Sequence, residues 1–208
     1  MLLRARPSGA GLFASLLAVA VVSFGSACQR HGGRPSVILI SIDTLRADRL
    51  NVYGFEEREV SPHIDALAAD GILFESFITA SPWTTPAHMS LLTSLNPGAH
   101  GITASFAALR DDVGTGRHFI SLSPSVVTLA EVLVARGMRT AAFTAGGPVD
   151  PGIGFGRGFE LYDTSLLKLG DHNTPAIAEW LGRHVGEPFF LFLHTFEVHA
   201  PYLRTSFL

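Results

Sequence analysis

The sequence predicts an α/β protein whose sheet is mostly parallel and covered by helices on both faces. Three observations predict it. Ser36 to Ile42 and Phe189 to His194 are near-continuous apolar runs, the pattern of strands buried on both sides. Between them, strand-like runs alternate with segments that carry helix start and stop signals, which implies right-handed βαβ crossovers. Hydrophobic residues make up 47% of the 208 and charged residues 16%, which is enough apolar material for a packed core and too little charge for a disordered chain.

Taken in order, the first thirty-five residues stand apart. Arg4 and Arg6 precede an apolar stretch from Gly11 to Val22, then the small residues Gly25-Ser26-Ala27 and the single cysteine, Cys28. This is the layout of an export signal spanning residues 1–28, with Cys28 where a bacterial lipoprotein would carry its lipid. An ordinary cleaved signal and an uncleaved membrane anchor are the alternatives, and the apolar stretch is near the lower length limit for spanning. Residues 29–35 form a short polar tether. Beyond it, residues 36–208 read as one domain. One cysteine permits no intrachain disulfide. With nine histidines against that one thiol, a metal site would be built from oxygen and imidazole. The formal net charge of −3 gives no reason to expect a nucleic-acid partner.

Within the domain, Ser61-Pro62 opens a helix that Gly71 stops. Ile72 to Thr79 reads as a second strand. A helix from Pro86 to Ser94 is preceded by Thr84 and Thr85 and followed by Asn96-Pro97-Gly98. Ser105 to Ser123 reads as loop. Thr128-Leu129-Ala130-Glu131 is a capping box opening a helix that ends at Gly137. Arg139 to Thr144 is a strand and the Gly-rich stretch 146–158 a loop. Thr174-Pro175 opens a helix to about Val185, and Phe189 to His194 is the last strand.

Open parallel sheets bind ligands outside the carboxyl ends of their strands. Asp43 lies at such an end and could hold a hard cation through oxygen, or could simply start a turn. Thr84 lies at a helix start, where backbone N–H groups and the dipole favour an anion. Its hydroxyl would need a base or a metal to act as a nucleophile, and from position alone plain capping is the favoured reading. His199 follows the last strand and could contact an anionic ester or protonate a leaving group. For His194 simple burial is the favoured reading.

Several ordered motifs resemble the opening of sulfatase-like hydrolases of the alkaline phosphatase superfamily. They are Ile40-Ser41-Ile42-Asp43-Thr44-Leu45-Arg46-Ala47-Asp48, Ser61-Pro62-His63-Ile64-Asp65-Ala66-Leu67-Ala68, and Pro82-Trp83-Thr84-Thr85-Pro86-Ala87-His88-Met89-Ser90-Leu91-Leu92-Thr93. Thr128 to Leu133, Phe189 to His194 and His199-Ala200-Pro201-Tyr202 continue the likeness, which spans Val37 to Tyr202. The resemblance implies an alkaline-phosphatase-like fold and one divalent metal ion, Ca²⁺ or alternatively Zn²⁺ or Mn²⁺. It implies Asp43 and Thr84 as metal ligands, and Thr84, His88 and His199 as candidate catalytic residues. The substrate would be an anionic sulfate or phosphate ester. Sulfatases carry Cys or Ser at the position of Thr84, which becomes formylglycine, and threonine lacks the CH₂ from which that aldehyde is made. His88 stands where the sulfatase motif has Arg, and Thr44 where many sulfatases have a second Asp. The family's later Asp-His or Asp-Asn metal pair is not among these residues. The expectation is therefore an N-terminal part of the sulfatase-like domain, its C-terminal part missing, weak or inactive by itself. A remnant that binds anions or metal without turnover, and a surface lipoprotein of structural role, are the alternatives.

Overall fold

The computed structural model describes residues 34–111, 121–166 and 174–200. The expected signal segment with Cys28, most of the tether, Tyr202 and the chain end lie outside the described residues, as does part of the 105–123 loop. Four strands form one sheet: β1 (Val37–Ile42), β2 (Arg139–Phe143), β3 (Leu161–Asp163) and β4 (Phe189–Thr195). They stand in the order β1-β4-β2-β3, and every described pair is parallel. Six helices accompany them among the described residues: α1 (Pro62–Ala69), α2 (Thr84–Thr93), α3 (Pro97–His100), α4 (Phe106–Asp111), α5 (Leu129–Ala135) and α6 (Thr174–Arg183).

The period of two along β4 builds the two halves of the core. Phe190 and Phe192 point to the side covered by α2 and α5, where they pack with Met89, Leu92, Ile102 and Ala130. Leu191 and Leu193 point to the opposite side, onto Ile177 and Trp180 of α6 and onto Leu166. Helices thus cover both faces of the sheet, as expected. The loop after β2 belongs to the core as well, because Val149, Ile153 and Phe155 are buried in the first cluster.

Local signals explain most element boundaries. Thr128 and Glu131 form the reciprocal capping box, and Arg157 seals it by pairing with Glu131 at 3.0 Å. Gly158 lies against this helix start with φ at 83°, and a Cβ there would fall 2.1 Å from the Glu131 nitrogen, so only glycine fits. Pro62 occupies the first turn of α1, but the Ser61 hydroxyl makes no capping bond; it donates instead to the Asp65 carboxylate.

Four expectations are corrected, the first being the 105–123 loop, whose described part holds α4 (Phe106–Asp111). Ile72 to Thr79 is not a strand: it pairs with none of the described strands, and Ile72, Phe74, Phe77 and Ile78 are exposed. A β-favouring composition makes a strand only where an edge offers hydrogen-bond partners. β1 is not buried on both faces. It stands at the edge of the described sheet, with Ile38 50% and Ile40 54% exposed on the face they share with Leu191 and Leu193. α2 begins at Thr84 rather than Pro86; the proline, lacking an N–H, sits within the first turn, whose N–H groups have no intrahelical partner. Its end is set at Ser94, which takes the left-handed conformation at φ 58°, while Pro97 opens α3.

Candidate active site

β1 and β4 are neighbours in register, Ser41 beside His194 and Ile42 beside Thr195, although one opens the described fold and the other closes it. Their carboxyl ends therefore release Asp43 and the loop after Thr195 side by side. Residues two apart on a strand share a face. Ser41, Asp43 and His194 accordingly share the face over which α2 lies.

The Thr84 hydroxyl donates to Asp43 Oδ2 at 2.9 Å. Trp83 is the N-cap and Thr84 the first helical residue, so plain capping is not what the Thr84 side chain does. Asp43 is nearly buried, and His194 Nε2 lies 3.4 Å from the same Oδ2. At that separation the contact is electrostatic, and both nitrogens of the fully buried His194 ring lack a hydrogen-bond partner. Burial pushes the Asp43 carboxyl up, but His194 and the Thr84 hydroxyl outweigh it and hold the group below the ordinary aspartate range. Asp43 is thus an anion with a hydroxyl held against it.

His88 lies one turn after Thr84. Its Nδ1 is 2.8 Å from the Thr84 carbonyl oxygen, which can only accept, so Nδ1 carries the proton. Its Nε2 then takes the Ser41 hydroxyl at 2.7 Å. Burial lowers the His88 pKa and the charge of His194 lowers it further, which favours this neutral ring. His194 packs edge-on against His88 with ring centroids 4.7 Å apart.

His199 lies on the loop after β4. Its Nδ1–H donates to the Ala200 carbonyl, and its ring packs against Phe196, which in turn packs against His194. The loop is tied to the end of β1 where the Thr44 hydroxyl donates to the Val198 carbonyl at 3.2 Å. Thr44 itself has φ at 61°, unusual for a β-branched residue. Asp43, Thr84 and His88 are thus brought into one hydrogen-bonded cluster. His199 is on the neighbouring loop and, among the described residues, hydrogen-bonds with neither Asp43 nor Thr84.

Ser41 escaped the sequence reading, whereas the burial expected of His194 is what the structure shows. Ser41 could have been found as the residue two before Asp43, on the same strand face. His194 carried only the signal of a polar residue ending an apolar strand. Beside the cluster, a cavity of about 400 Å³ is lined by Ser41, His88, Phe77 and Ile78. Another of about 530 Å³ is lined by Thr44, Arg46, Arg49 and Val198.

An acid oxygen and a hydroxyl oxygen 2.9 Å apart are hard donors that suit a divalent cation. Two such donors alone do not make a metal site, and among the described residues no group of three or more His, Cys, Asp or Glu is gathered closely enough to hold an ion.

A parallel sheet with helices on both faces is also the fold of a solved protein of the alkaline phosphatase superfamily from Vibrio parahaemolyticus, with a TM-score of 0.59 and 18% identity over 84% of this chain and 43% of that one. The chain belongs to the sulfatase family, whose model matches residues 35–207. It is 36% identical over 77 residues to N-acetylgalactosamine-6-sulfatase of Rattus norvegicus, covering 37% of this chain and 14% of that protein. It is 31% identical over 144 residues to steryl-sulfatase of Mus musculus, covering 66% of this chain and 22% of that protein. Among solved structures it resembles the phosphonate monoester hydrolase of Agrobacterium radiobacter, with a TM-score of 0.55 and 21% identity over 81% of this chain and 42% of that one. The matched region is thus less than a quarter of either curated relative's length.

Proposed function

We propose that this chain carries the nucleophile half of a metal-dependent hydrolase of sulfuric or phosphoric esters, with Thr84 as the attacking residue. The hydrogen bond from Thr84 to Asp43, at the carboxyl edge of the sheet, carries the reading. Membership of the sulfatase family supports ester hydrolysis, and likeness to a phosphonate monoester hydrolase is compatible with phosphorus as well as sulfur at the reacting centre. Because threonine has no CH₂ to become an aldehyde, Thr84 acts through its own hydroxyl.

In this mechanism the ester's charged oxygens lie at the start of α2, whose dipole and unpaired N–H groups favour an anion. The Thr84 oxygen attacks phosphorus or sulfur as its proton passes to Asp43. The alcohol leaves with a proton from His199, whose Nε2 is the ring nitrogen not engaged with Ala200. Water then hydrolyses the threonyl ester, releasing phosphate or sulfate; the Asp43 proton returns to the Thr84 oxygen, and one proton of the water goes to His199 Nε2. When bound, a divalent ion such as Ca²⁺, Zn²⁺ or Mn²⁺ would polarise the ester oxygens and lower the pKa of the Thr84 hydroxyl, with Asp43 and Thr84 among its ligands. Export, with Cys28 as a lipid-bearing first residue, completes the reading; the mass of the mature protein from a membrane fraction tests that part.

The enzymatic test is hydrolysis of an aryl phosphate and an aryl sulfate with each ion. Thr84→Ala should lower kcat by about a thousandfold or more. Activity unchanged in that variant removes Thr84 from the mechanism.

A further inference from the structure

The cluster contains a second grip on α2 that the chemistry does not use. Asp43 and Ser41 are two apart on β1, and Thr84 and His88 are four apart on α2. Two residues of strand rise about 6.6 Å and four residues of helix about 6 Å, so the two spacings are commensurate. The chain directions are opposed: Asp43 takes Thr84 and Ser41 takes His88. The His88 Nδ1–H bond to the Thr84 carbonyl then closes a ring through Ser41, Asp43, Thr84 and His88. A helix held at one point can rock or turn about it. Held at two points one turn apart, it can do neither without breaking a bond.

We propose that Ser41 and His88 are positioning residues, a neutral strut that fixes the first turn of α2 against β1 and so aims the Thr84 hydroxyl at Asp43. The inference rests on Thr84 being the nucleophile. His88 on this account touches no substrate: both ring nitrogens are spent on protein partners, and its tautomer is dictated by the carbonyl below it. His100 offers an internal contrast. Its Nδ1 accepts the backbone N–H of Ile102 and its Nε2–H therefore faces the Ser90 hydroxyl, the opposite tautomer in the same region of the fold.

The test uses the whole chain, labelled with ¹⁵N. Imidazole spectra should show His88 as the Nδ1–H tautomer and His100 as the Nε2–H tautomer. In Ser41→Ala the His88 Nε2 resonance should shift as it loses its donor, while the His100 pattern stays and reports an intact fold. Amide exchange at Ala87 and His88 should quicken about tenfold in that variant. Its kcat should fall about ten- to a hundredfold, the size expected for a misaimed group, with KM within about twofold. Ser41→Thr, which keeps the hydroxyl, should restore both. An Nε2–H tautomer at His88 would overturn the proposal, as would amide exchange or kcat unmoved by Ser41→Ala. Where no turnover is measurable, tautomer and exchange decide. Failure of the nucleophile reading is seen separately, as activity retained in Thr84→Ala.

Discussion

β1 and β4 look alike as sequence and differ in almost everything else. Both are apolar runs that end in a polar residue at the carboxyl edge, and they pair in register over six residues. β4 has a strand on each side and helices on each face; Phe190, Leu191 and Phe192 are fully buried. β1 has one strand neighbour among the described residues, and its Ile38 and Ile40 stand half exposed. The candidate nucleophile is nevertheless aimed by β1, through Ser41 and Asp43, while β4 contributes the buried His194 behind them. Apolar composition reports what a strand is able to bury. Its place in the sheet is decided by later segments of the chain, and the precision of a site by a few polar bonds at its end.

The sharpest way to break this comparison is to truncate one side chain on each strand. Phe192→Ala in β4 empties a site packed against α2, α5 and the buried loop, and should cost about 3–5 kcal/mol of stability in chemical denaturation. A loss below about 1 kcal/mol would mean that β4 is not the centre of the core.

A smaller effect should come from the cap over the same face. Desolvation pushes the Glu131 carboxyl up, but the Thr128 N–H and Arg157 outweigh it, and its pKa lies below the ordinary glutamate value. A carboxyl depressed on folding contributes stability that is fully present above its unfolded pKa and is lost as pH falls through the folded one. Wild type should therefore lose stability below about pH 4.5, the ordinary value, and Glu131→Gln should show a flatter acid limb. At neutral pH that variant should lose about 1 kcal/mol or less, since the ion pair is partly exposed. Melting curves from pH 3 to 7 would show it; parallel curves would mean that the pair contributes nothing.

The smallest effect should be on the edge strand. Ile38→Thr keeps a β-branched residue on an exposed face and should change stability by about 0.5 kcal/mol or less. A loss as large as that of Phe192→Ala would show that something covers β1 in solution.

The parts of the fold that were legible in the sequence are those fixed by local chemistry. The Thr128 box, Pro62 in a first turn, Gly137 after a helix, and the runs at Arg139 and Phe189 each state their own structure. β3 was missed because three residues, Leu161 to Asp163, are too few to show a period. Ile72 to Thr79 misled because a partner edge, which no local pattern encodes, decides whether such a run is a strand. Of the site, Asp43 and Thr84 were singled out by a strand end and a helix start, which alone left the turn and capping readings open; the family resemblance chose between them. Ser41 was not, since the period of two tells which face a residue shares but not which helix lies over it. His194 was hidden for the opposite reason: a buried imidazole ending an apolar strand reads as core until its neighbour Asp43 is seen.

The turn after β1 has a consequence for how the family can vary. Thr44 sits in left-handed backbone, where a β-branched residue costs on the order of 1–3 kcal/mol and Asn, Asp or Gly much less. The backbone thus screens candidates for position 44 before any chemistry does, and the residues it admits most readily include an acid. A single change there places a second carboxylate beside Asp43 while relieving the chain instead of burdening it. Thr44→Asp should therefore cost the backbone nothing, whereas the reverse change would meet the strain of a β-branched residue in this turn.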